Sequence, residues 1–259
     1  MVTTHDVVLF ETYDLQNYCD DNYGSSWRAA NRAKTWIEGA FDQTSDYDVT
    51  VSIATDSAPN PPQEGPARDD FTTSCLCHWQ YNCTYNNLWV WWVDWLNNSD
   101  CKDPHDDAND CRMLLTNYDS SGLGSSKTAV ACIGQKVAEL SSAYSRFGNQ
   151  PRHNGMDTVL EELGHCLINW DSSNNNCDHK DDDGDGRSHD SGAVLYDSTA
   201  DDYGITPMGL AGDRCHNNCS DDSLLDTPYC FSRCDDDGDG EPDGWVLEYS
   251  DCTKCGFVE

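Results

Sequence analysis

Basic residues are scarce in this sequence of 259 residues. Lysine and arginine together number 15, against 47 aspartate and glutamate residues, which gives a formal net charge of −32 at pH 7. Binding to the phosphate backbone of nucleic acids requires clusters of Lys and Arg, so the composition argues against a nucleic-acid-binding protein. It also argues against docking on anionic membrane surfaces.

Long hydrophobic runs are lacking as well. The longest apolar run covers residues 88–93 and ends at Asp94, whereas a transmembrane helix needs about 20 apolar residues. The sequence therefore predicts no membrane insertion. With 37% hydrophobic residues and 9 Trp, the chain is too apolar for a disordered acidic tail and can build a core.

The acidic excess has two physical interpretations. One is a hydrated, salt-adapted surface of the kind found in halophilic proteins, where salt screens the self-repulsion. The other is calcium binding, because two segments fit the pattern D-x-D-x-D-G, whose alternate carboxylates face the inside of a tight loop. Neither segment has Glu at the twelfth position, so both resemble the calcium loops of secreted modules. The predicted calcium ligands are Asp181, Asp183 and Asp185 in the first loop, and Asp235, Asp237, Asp239 and Asp243 in the second.

Cysteine is abundant, with 15 residues. So many cysteines favour disulfides and an oxidising compartment, although structural zinc bound by the closely spaced cysteines of 215–255 is an alternative. The odd count leaves one thiol unpaired or available for self-association. Three glycosylation sequons, at Asn82, Asn97 and Asn218, also fit an extracellular or cell-surface protein. We expect its secretory leader to be absent from this numbering.

Hydrophobic periodicity predicts an α/β or α+β fold in which strands and helices alternate. We expect an N-terminal α/β lobe over 1–170 and an irregular, disulfide- and calcium-stabilised lobe over 171–259. The predicted strands cover 7–10, 47–54 and 111–117. The predicted helices cover 27–41 after a Ser25-Ser26 cap, 88–96 (where a strand is the alternative) and 156–169, with a further helical stretch over 137–147. The predicted loops cover 55–70, the cysteine-stapled segment 71–84 and most of the chain beyond Asp171.

The helix over 156–169 carries a chemically suggestive set of side chains. Glu161 and His165 are four residues apart and project from the same face, with Glu162 beside them. Two metal ligands at i and i+4, next to a carboxylate that accepts a proton from the attacking water, form the arrangement used by zinc peptidases. Gly164 leaves room for a close approach to the helix.

The segment TVLEELGHCLINWD (residues 158–171) resembles the metzincin zinc peptidases, especially the adamalysin-like and small secreted branches. Their pattern is His-Glu-x-x-His-x-x-Gly-x-x-His or Asp. Further segments are similar to other parts of that family. CRMLLTNYDSSGLG and AVACIG resemble its edge strand, the loop after it and the next segment; GITPMG (residues 204–209) resembles its methionine turn; YSDCT (residues 249–253) resembles its closing segment.

This resemblance implies a twisted mixed sheet and a zinc site. It makes Glu162 the general base, His165 a zinc ligand, Asp171 the third ligand and Met208 the turn methionine beneath the metal. Two positions differ from the pattern: Glu161 stands at the first ligand position and Ile168 at the glycine. The resulting ligand set is rich in oxygen. His189, shortly before the methionine turn, is an alternative to Asp171.

Two functions are therefore expected. The first is a secreted zinc-dependent metalloendopeptidase that takes a peptide or protein substrate, with an activity that the two departures from the pattern would reduce or abolish. The alternative is an inactive metzincin-like extracellular protein, in which calcium and disulfides stabilise a structural, adhesive or filament-forming surface component.

Overall fold

The computed structural model describes residues 2–42, 47–54, 58–61, 70–75, 78–97, 110–117, 122–125, 127–168, 194–208, 242–249, 253–254 and 257. These residues form a mixed α/β fold, which confirms the predicted class. The helices are α1 (Tyr13–Tyr23), α2 (Ala29–Asp42), α3 (Leu88–Asn97), α4 (Gly134–Ala138) and α5 (Pro151–Leu167). The strands are β1 (Thr3–Glu11), β2 (Tyr47–Ile53), β3 (Phe71–Cys75), β4 (His78–Tyr85), β5 (Cys111–Leu115), β6 (Gly122–Ser125), β7 (Thr128–Ala131), β8 (Phe147–Gly148), β9 (Val194–Asp197), β10 (Asp202–Ile205) and β11 (Trp245–Val246).

A central five-stranded sheet has the order β2-β1-β5-β7-β6. The first four strands are parallel, and β6 pairs antiparallel with β7 at the edge. Both faces of β1 are covered: Val7 and Leu9 belong to one hydrophobic cluster, and Val8 and Phe10 to another. Continuous burial of this kind is typical of parallel strands covered by helices on both sides.

The two clusters define the layers of the fold. Helices α1, α2, α4 and α5 contribute to the first cluster, together with the C-terminal strands. Helix α3 and strands β3 and β4 cover the opposite face. The indole N–H groups of Trp89 and Trp92 in α3 donate to the carbonyls of Thr128 and Arg112, at 3.0 and 3.2 Å. These two hydrogen bonds attach α3 to the sheet in addition to the apolar contacts between them.

The segment 88–96, for which helix was preferred over strand, is helical in α3. The neighbouring prediction of a loop over 71–84 is wrong, because β3 and β4 form an antiparallel hairpin there. The Thr72 and Thr84 hydroxyls are 2.9 Å apart across this hairpin. Alternation of side chains between a buried and an exposed face stabilises it: Phe71 and Tyr85 are buried while Thr72 is exposed.

Helix α2 confirms the prediction over 27–41, but not its start. The helix begins at Ala29, and the carboxylate of Glu11 at the end of β1 accepts a hydrogen bond of 2.7 Å from the Ala30 N–H. Burial raises the pKa of Glu11, and Arg28 lies 4.0 Å from it. A distant acidic residue therefore caps the helix in place of the predicted Ser25-Ser26 cap.

Three further elements differ from expectation. The strand predicted over 111–117 is β5. The family resemblance implies an edge strand at this point, but β5 lies inside the sheet and the following strand β6 is at the edge. The helical stretch expected over 137–147 is only the short α4, which ends at Ala138. Helix α1 was not predicted; its short amphipathic pattern buries Leu15 and Cys19, and the Thr12 hydroxyl accepts from the Leu15 N–H.

A second sheet with the order β8-β11-β10-β9 joins residues from both predicted lobes. Strands β9, β10 and β11 lie in the part expected to be irregular, and β8 precedes α5. Arg146 forms ion pairs with Asp197 at 2.9 Å and Glu248 at 2.6 Å. This sheet and its ion pairs hold the C-terminal strands beside α5.

The structure also bears on membrane insertion. In the part of the chain that it describes, none of the helices combines the length and apolarity needed to span a bilayer.

Candidate active site

Helix α5 carries the predicted site and begins five residues earlier than expected. Pro151 occupies its first turn, where the missing N–H costs no hydrogen bond. The Gln150 N–H donates to His153 Nδ1 at 3.0 Å, which satisfies a backbone group just before the helix. The buried face of α5 packs on the sheet, chiefly through Met156, Val159 and Leu163. The orientation of the helix is therefore determined by its apolar face.

The Glu162 side chain projects from α5 against the edge strand β6. Its side chain is buried, with 3% exposure, and its carboxylate contacts two glycines of that strand. A methyl carbon at Gly124 would lie 2.7 Å from Glu162 Oε2 and 2.5 Å from the Glu162 carbonyl oxygen, and one at Gly122 would overlap Glu162 Oε1. The glycines thus allow the strand to approach the helix at the acidic side chain. Sequence reasoning did not identify them, although G-x-G in a short strand is a signal of close backbone approach.

His165 and Glu161 are half-buried on the adjoining face of α5. A methyl carbon at Gly124 would also lie 3.1 Å from His165 Cβ, so Glu162 and His165 border the same stretch of β6. His165 as a residue is therefore only partly buried. Chemically, this arrangement places a buried carboxylate against the edge strand, with a half-buried imidazole and a half-buried carboxylate on the same helix.

Met208 lies beneath this part of the helix. A methyl carbon at Gly164 would be 2.7 Å from Met208 Sδ, so the sulfur packs directly against the helix one residue before His165. Met208 is 1% exposed and adopts a left-handed φ of 72°, which costs on the order of 1–2 kcal/mol for a residue other than glycine. The space that Gly164 provides is therefore filled by this methionine side chain rather than by backbone.

Tyr249 supports the same region from the C-terminal side. Its hydroxyl donates to the Leu160 carbonyl at 2.6 Å, and its Cε1 would lie 3.4 Å from a methyl carbon at Gly164. The side chain is 1% exposed. The segment beginning at Tyr249, which resembles the closing part of the peptidase family, thus contacts the helix that carries the site.

Asp157 was not anticipated as part of this face. It precedes Glu161 by one helical turn, and burial raises the pKa of its carboxyl well above the ordinary value, with a further contribution from Glu161. Its Oδ1 atom is buried, with no hydrogen-bond partner among the described residues. The spacing of four between two acidic residues was the available signal in the sequence.

The helix ends at Leu167, and Ile168 is extended with φ −78° and ψ 129°. Ile168 forms an isolated antiparallel bridge with Phe257. The chain thus leaves the helix at the position where the family pattern has glycine, without a left-handed residue. The alternative third ligands, Asp171 and His189, lie outside the described residues.

Most of the predicted calcium ligands also lie outside the described residues. Asp181, Asp183, Asp185, Asp235, Asp237 and Asp239 all lie outside the described residues. Asp243 is described and is exposed shortly before β11. Within the described ranges, no three His, Cys, Asp or Glu side chains converge in a geometry that would hold a metal ion.

Comparison of the chain with protein-family models, with curated proteins and with solved structures finds no match.

Proposed function

We propose that this protein is a secreted, metzincin-like zinc metalloendopeptidase. The observation that carries the proposal is the joint placement of three predicted residues. Glu162 lies against the edge strand, His165 borders the same strand, and Met208 packs under Gly164 between them. Three segments of the sequence resemblance, namely 158–171 with Glu162 and His165, 204–209 with Met208, and 111–124 with the edge strand, therefore meet at one helix. A solvated acidic helix face would not need glycines opposite Glu162 or a buried left-handed methionine under the helix.

The described donors fit zinc in part. His165 supplies an imidazole nitrogen, Glu161 supplies carboxylate oxygen, and both ligand types occur at zinc sites. A catalytic zinc takes three protein ligands, so the third would come from Asp171 or His189. When bound there, zinc would act as a Lewis acid toward the scissile carbonyl.

The role of the chain's own residues follows from their positions. The Glu162 carboxylate would accept a proton from the attacking water and pass it to the leaving amine nitrogen. Strand β6 lies at the edge of the central sheet as the described residues form it, and an extended peptide bound beside Glu162 would bring its scissile carbonyl to this carboxylate. Burial of Glu162 beside the strand keeps bulk water away from the reacting groups.

The decisive experiment compares the zinc-loaded wild type with two glutamate variants on an unbiased peptide library. Glu162→Gln is expected to lower the rate at least 100-fold while the circular dichroism spectrum and bound zinc remain unchanged. Glu38→Gln is the matched control, because the Glu38 side chain is 39% exposed on α2 and, among the described residues, pairs with Lys34 at 3.3 Å; it should retain full activity. A wild type that holds one zinc per chain and cleaves no member of the library would refute the proposal.

A second candidate function rests on Glu161, which replaces the first histidine ligand of the family pattern. An oxygen-rich donor set suits harder ions than zinc, and this favours the alternative of a non-catalytic, calcium-stabilised surface protein. The two functions make opposite predictions for Glu161→His. If the fold is a peptidase, this substitution should tighten zinc binding and raise the rate; if it is an inactive scaffold, calcium should raise the melting temperature while Glu161→His leaves the chain without activity.

A further inference from the structure

The hairpin of β3 and β4 carries one of the three glycosylation sequons of the chain. The sequon is Asn82-Cys83-Thr84, within strand β4. Side chains two residues apart in a strand project from the same face. Strand β4 therefore presents the Asn82 amide and the Thr84 hydroxyl, the two groups that define an N-glycosylation acceptor, on one side of the hairpin.

Contacts with helix α3 determine which face of β4 points outward. Tyr85 is 5% exposed, and its hydroxyl donates to the Asp94 carboxylate of α3 at 2.8 Å. Cys83, two residues earlier, is half-buried and packs against the same hydrophobic cluster. Asn82 and Thr84 alternate with these inward-facing residues, and both are exposed. A bulky group attached to Asn82 therefore extends into solvent and displaces no part of the core.

The structure describes the other two sequons less completely. Asn97 is exposed and is the last residue of α3, but Ser99, the hydroxyl residue of its sequon, lies outside the described residues. Asn218 lies outside them as well. Asn82 is thus the acceptor for which the described part of the chain places both required side chains at the surface.

We propose that Asn82 is an N-glycosylation site, with the outward face of β4 as its acceptor surface. The proposal rests on the export that the proposed function includes, because the sugar donor is an oligosaccharide carried on a lipid phosphate and is used on exported chains. The Asn82 side-chain nitrogen attacks the anomeric carbon of this donor, and a C–N bond forms. The bond between that carbon and the phosphate oxygen breaks, the nitrogen loses a proton, and the lipid phosphate is the leaving group.

The position of the glycan suits the part of the fold to which it is attached. The hairpin is a two-stranded sheet as the described residues form it, and exposed strand edges of this kind can pair with other chains. A bulky, solubilising glycan on β4 hinders such pairing. Because α5 and the hairpin cover opposite faces of the central sheet, the glycan is attached away from the helix that carries Glu162 and His165.

Peptide mapping tests the proposal without reference to any activity. The full chain is expressed behind a secretion leader in mammalian cells, and the protein is collected from the medium. After reduction and alkylation, endoproteinase Asp-N places Asn82 in the peptide 70–93 and Asn97 in the peptide 94–99. Peptide N-glycosidase F in heavy-oxygen water then converts each glycosylated asparagine to a labelled aspartate. We expect mass spectrometry to find the label at position 82 in most copies of the first peptide.

Variants of the sequon provide the controls. Thr84→Ala retains Asn82 but removes the hydroxyl of the sequon, so it should abolish the label, whereas Thr84→Ser should retain it. Asn86→Gln changes an exposed amide of the same region that belongs to no sequon, and it should also leave the label in place.

Two results would overturn the proposal. One is an unlabelled peptide 70–93 from the secreted wild type, and the other is a label that persists in Thr84→Ala. Because the experiment supplies the leader and measures no catalysis, its failure is distinct from failure of the proposed peptidase function.

Discussion

The sulfur of Met208 occupies the space that a side chain at Gly164 would fill. A methyl carbon at Gly164 would lie 2.7 Å from Sδ and 3.1 Å from Cγ of this methionine. Met208 keeps its left-handed backbone while its side chain is enclosed under the helix. The contact links a turn of the C-terminal segment to the helix that presents Glu162 and His165.

The first prediction follows from this contact. Gly164→Ala should gain about 1 kcal/mol of helix propensity but incur about 1–3 kcal/mol from overpacking, so the free energy of unfolding should fall by about 1 kcal/mol. In a Met208→Ala background, the same substitution should become stabilising because the space is vacant. Urea denaturation of the four proteins in this double-mutant cycle measures the coupling. Additive effects of the two substitutions would show that the sulfur contact does not limit the packing.

The second prediction concerns the close approach of β6 to the helix. Gly124→Ala would bring a methyl carbon to 2.5 Å from the Glu162 carbonyl oxygen, and neither backbone can move without separating the strand from α5. We expect a loss of about 2 kcal/mol in stability and at least a tenfold loss of peptidase activity. Ser125→Ala, at the neighbouring exposed position, is the control and should change neither quantity. Full activity in the Gly124→Ala variant would show that the edge strand does not contribute to catalysis.

The sequence predicted the elements whose signal is local. The apolar spacing of Met156, Val159 and Leu163 indicated α5 and its buried face, and the alternation over 47–54 indicated β2. Helix α5 begins five residues before the predicted start, because Pro151 fits its first turn and the His153 side chain accepts from the Gln150 N–H. The sequence does not reveal a helix start of this kind, because Gln and His are also common within helices and loops.

Features that depend on long-range contacts could not be predicted in this way. The cap of α2 comes from Glu11 on β1, and the partner of Gly164 comes from Met208 in a later turn. The proximity of Gly124 to Glu162 requires the order of strands in the sheet, which periodicity does not specify. For the candidate site, the family resemblance therefore predicted Glu162, His165 and Met208. The glycines that allow these side chains to pack could be recognised only in the structure.

The third prediction concerns the buried His5 side chain. It stacks on Tyr47 at 5.8 Å and meets Phe257 edge-on at 5.6 Å. Burial lowers the pKa of His5, and the nearby Asp110 and Asp6 oppose this shift. The pKa of His5 in the folded chain is below the unfolded value of about 6.5. Between these two values the unfolded chain binds more protons than the folded chain. The free energy of unfolding therefore decreases as the pH drops below about 6.5.

His5→Phe should reduce this pH dependence because it removes the titrating group and keeps an aromatic ring in the cluster. The measurement is the urea midpoint of wild type and variant at pH 7.5 and pH 5.5, with the wild type expected to lose more on acidification. Burial also lowers the pKa of His153, so the variant should keep part of the slope. An unchanged difference between the two pH values would show that His5 does not contribute.

The fourth prediction concerns Arg146, which pairs with Asp197 and Glu248. The two carboxylate side chains are 5% and 13% exposed, so Arg146→Met would leave two poorly solvated negative charges facing each other. Removing one partner of a largely buried ion pair is strongly destabilising, and we expect a loss of about 2 kcal/mol. Glu38→Gln is the matched control, because it breaks an ion pair with Lys34 whose two side chains are each 39% exposed, and surface pairs contribute less than about 1 kcal/mol. It leaves in place the hydrogen bond from Lys34 Nζ to the Val51 carbonyl.

The pH dependence of this cluster provides a second, independent readout. Burial alone would raise the pKa of Asp197, but hydrogen bonds from the Ala200 and Thr199 N–H groups and from Arg146 outweigh burial and hold it below the ordinary value. A depressed carboxyl pKa contributes stability that is complete above the unfolded value of about 3.9 and is lost as pH falls through the folded value. Arg146→Met should therefore destabilise the protein most at neutral pH and progressively less below about pH 4, where protonation removes the unpaired charges. Equal losses at pH 7 and pH 3.5, followed by chemical denaturation, would mean that Arg146 stabilises the second sheet through the packing of its aliphatic stem and not through its charge.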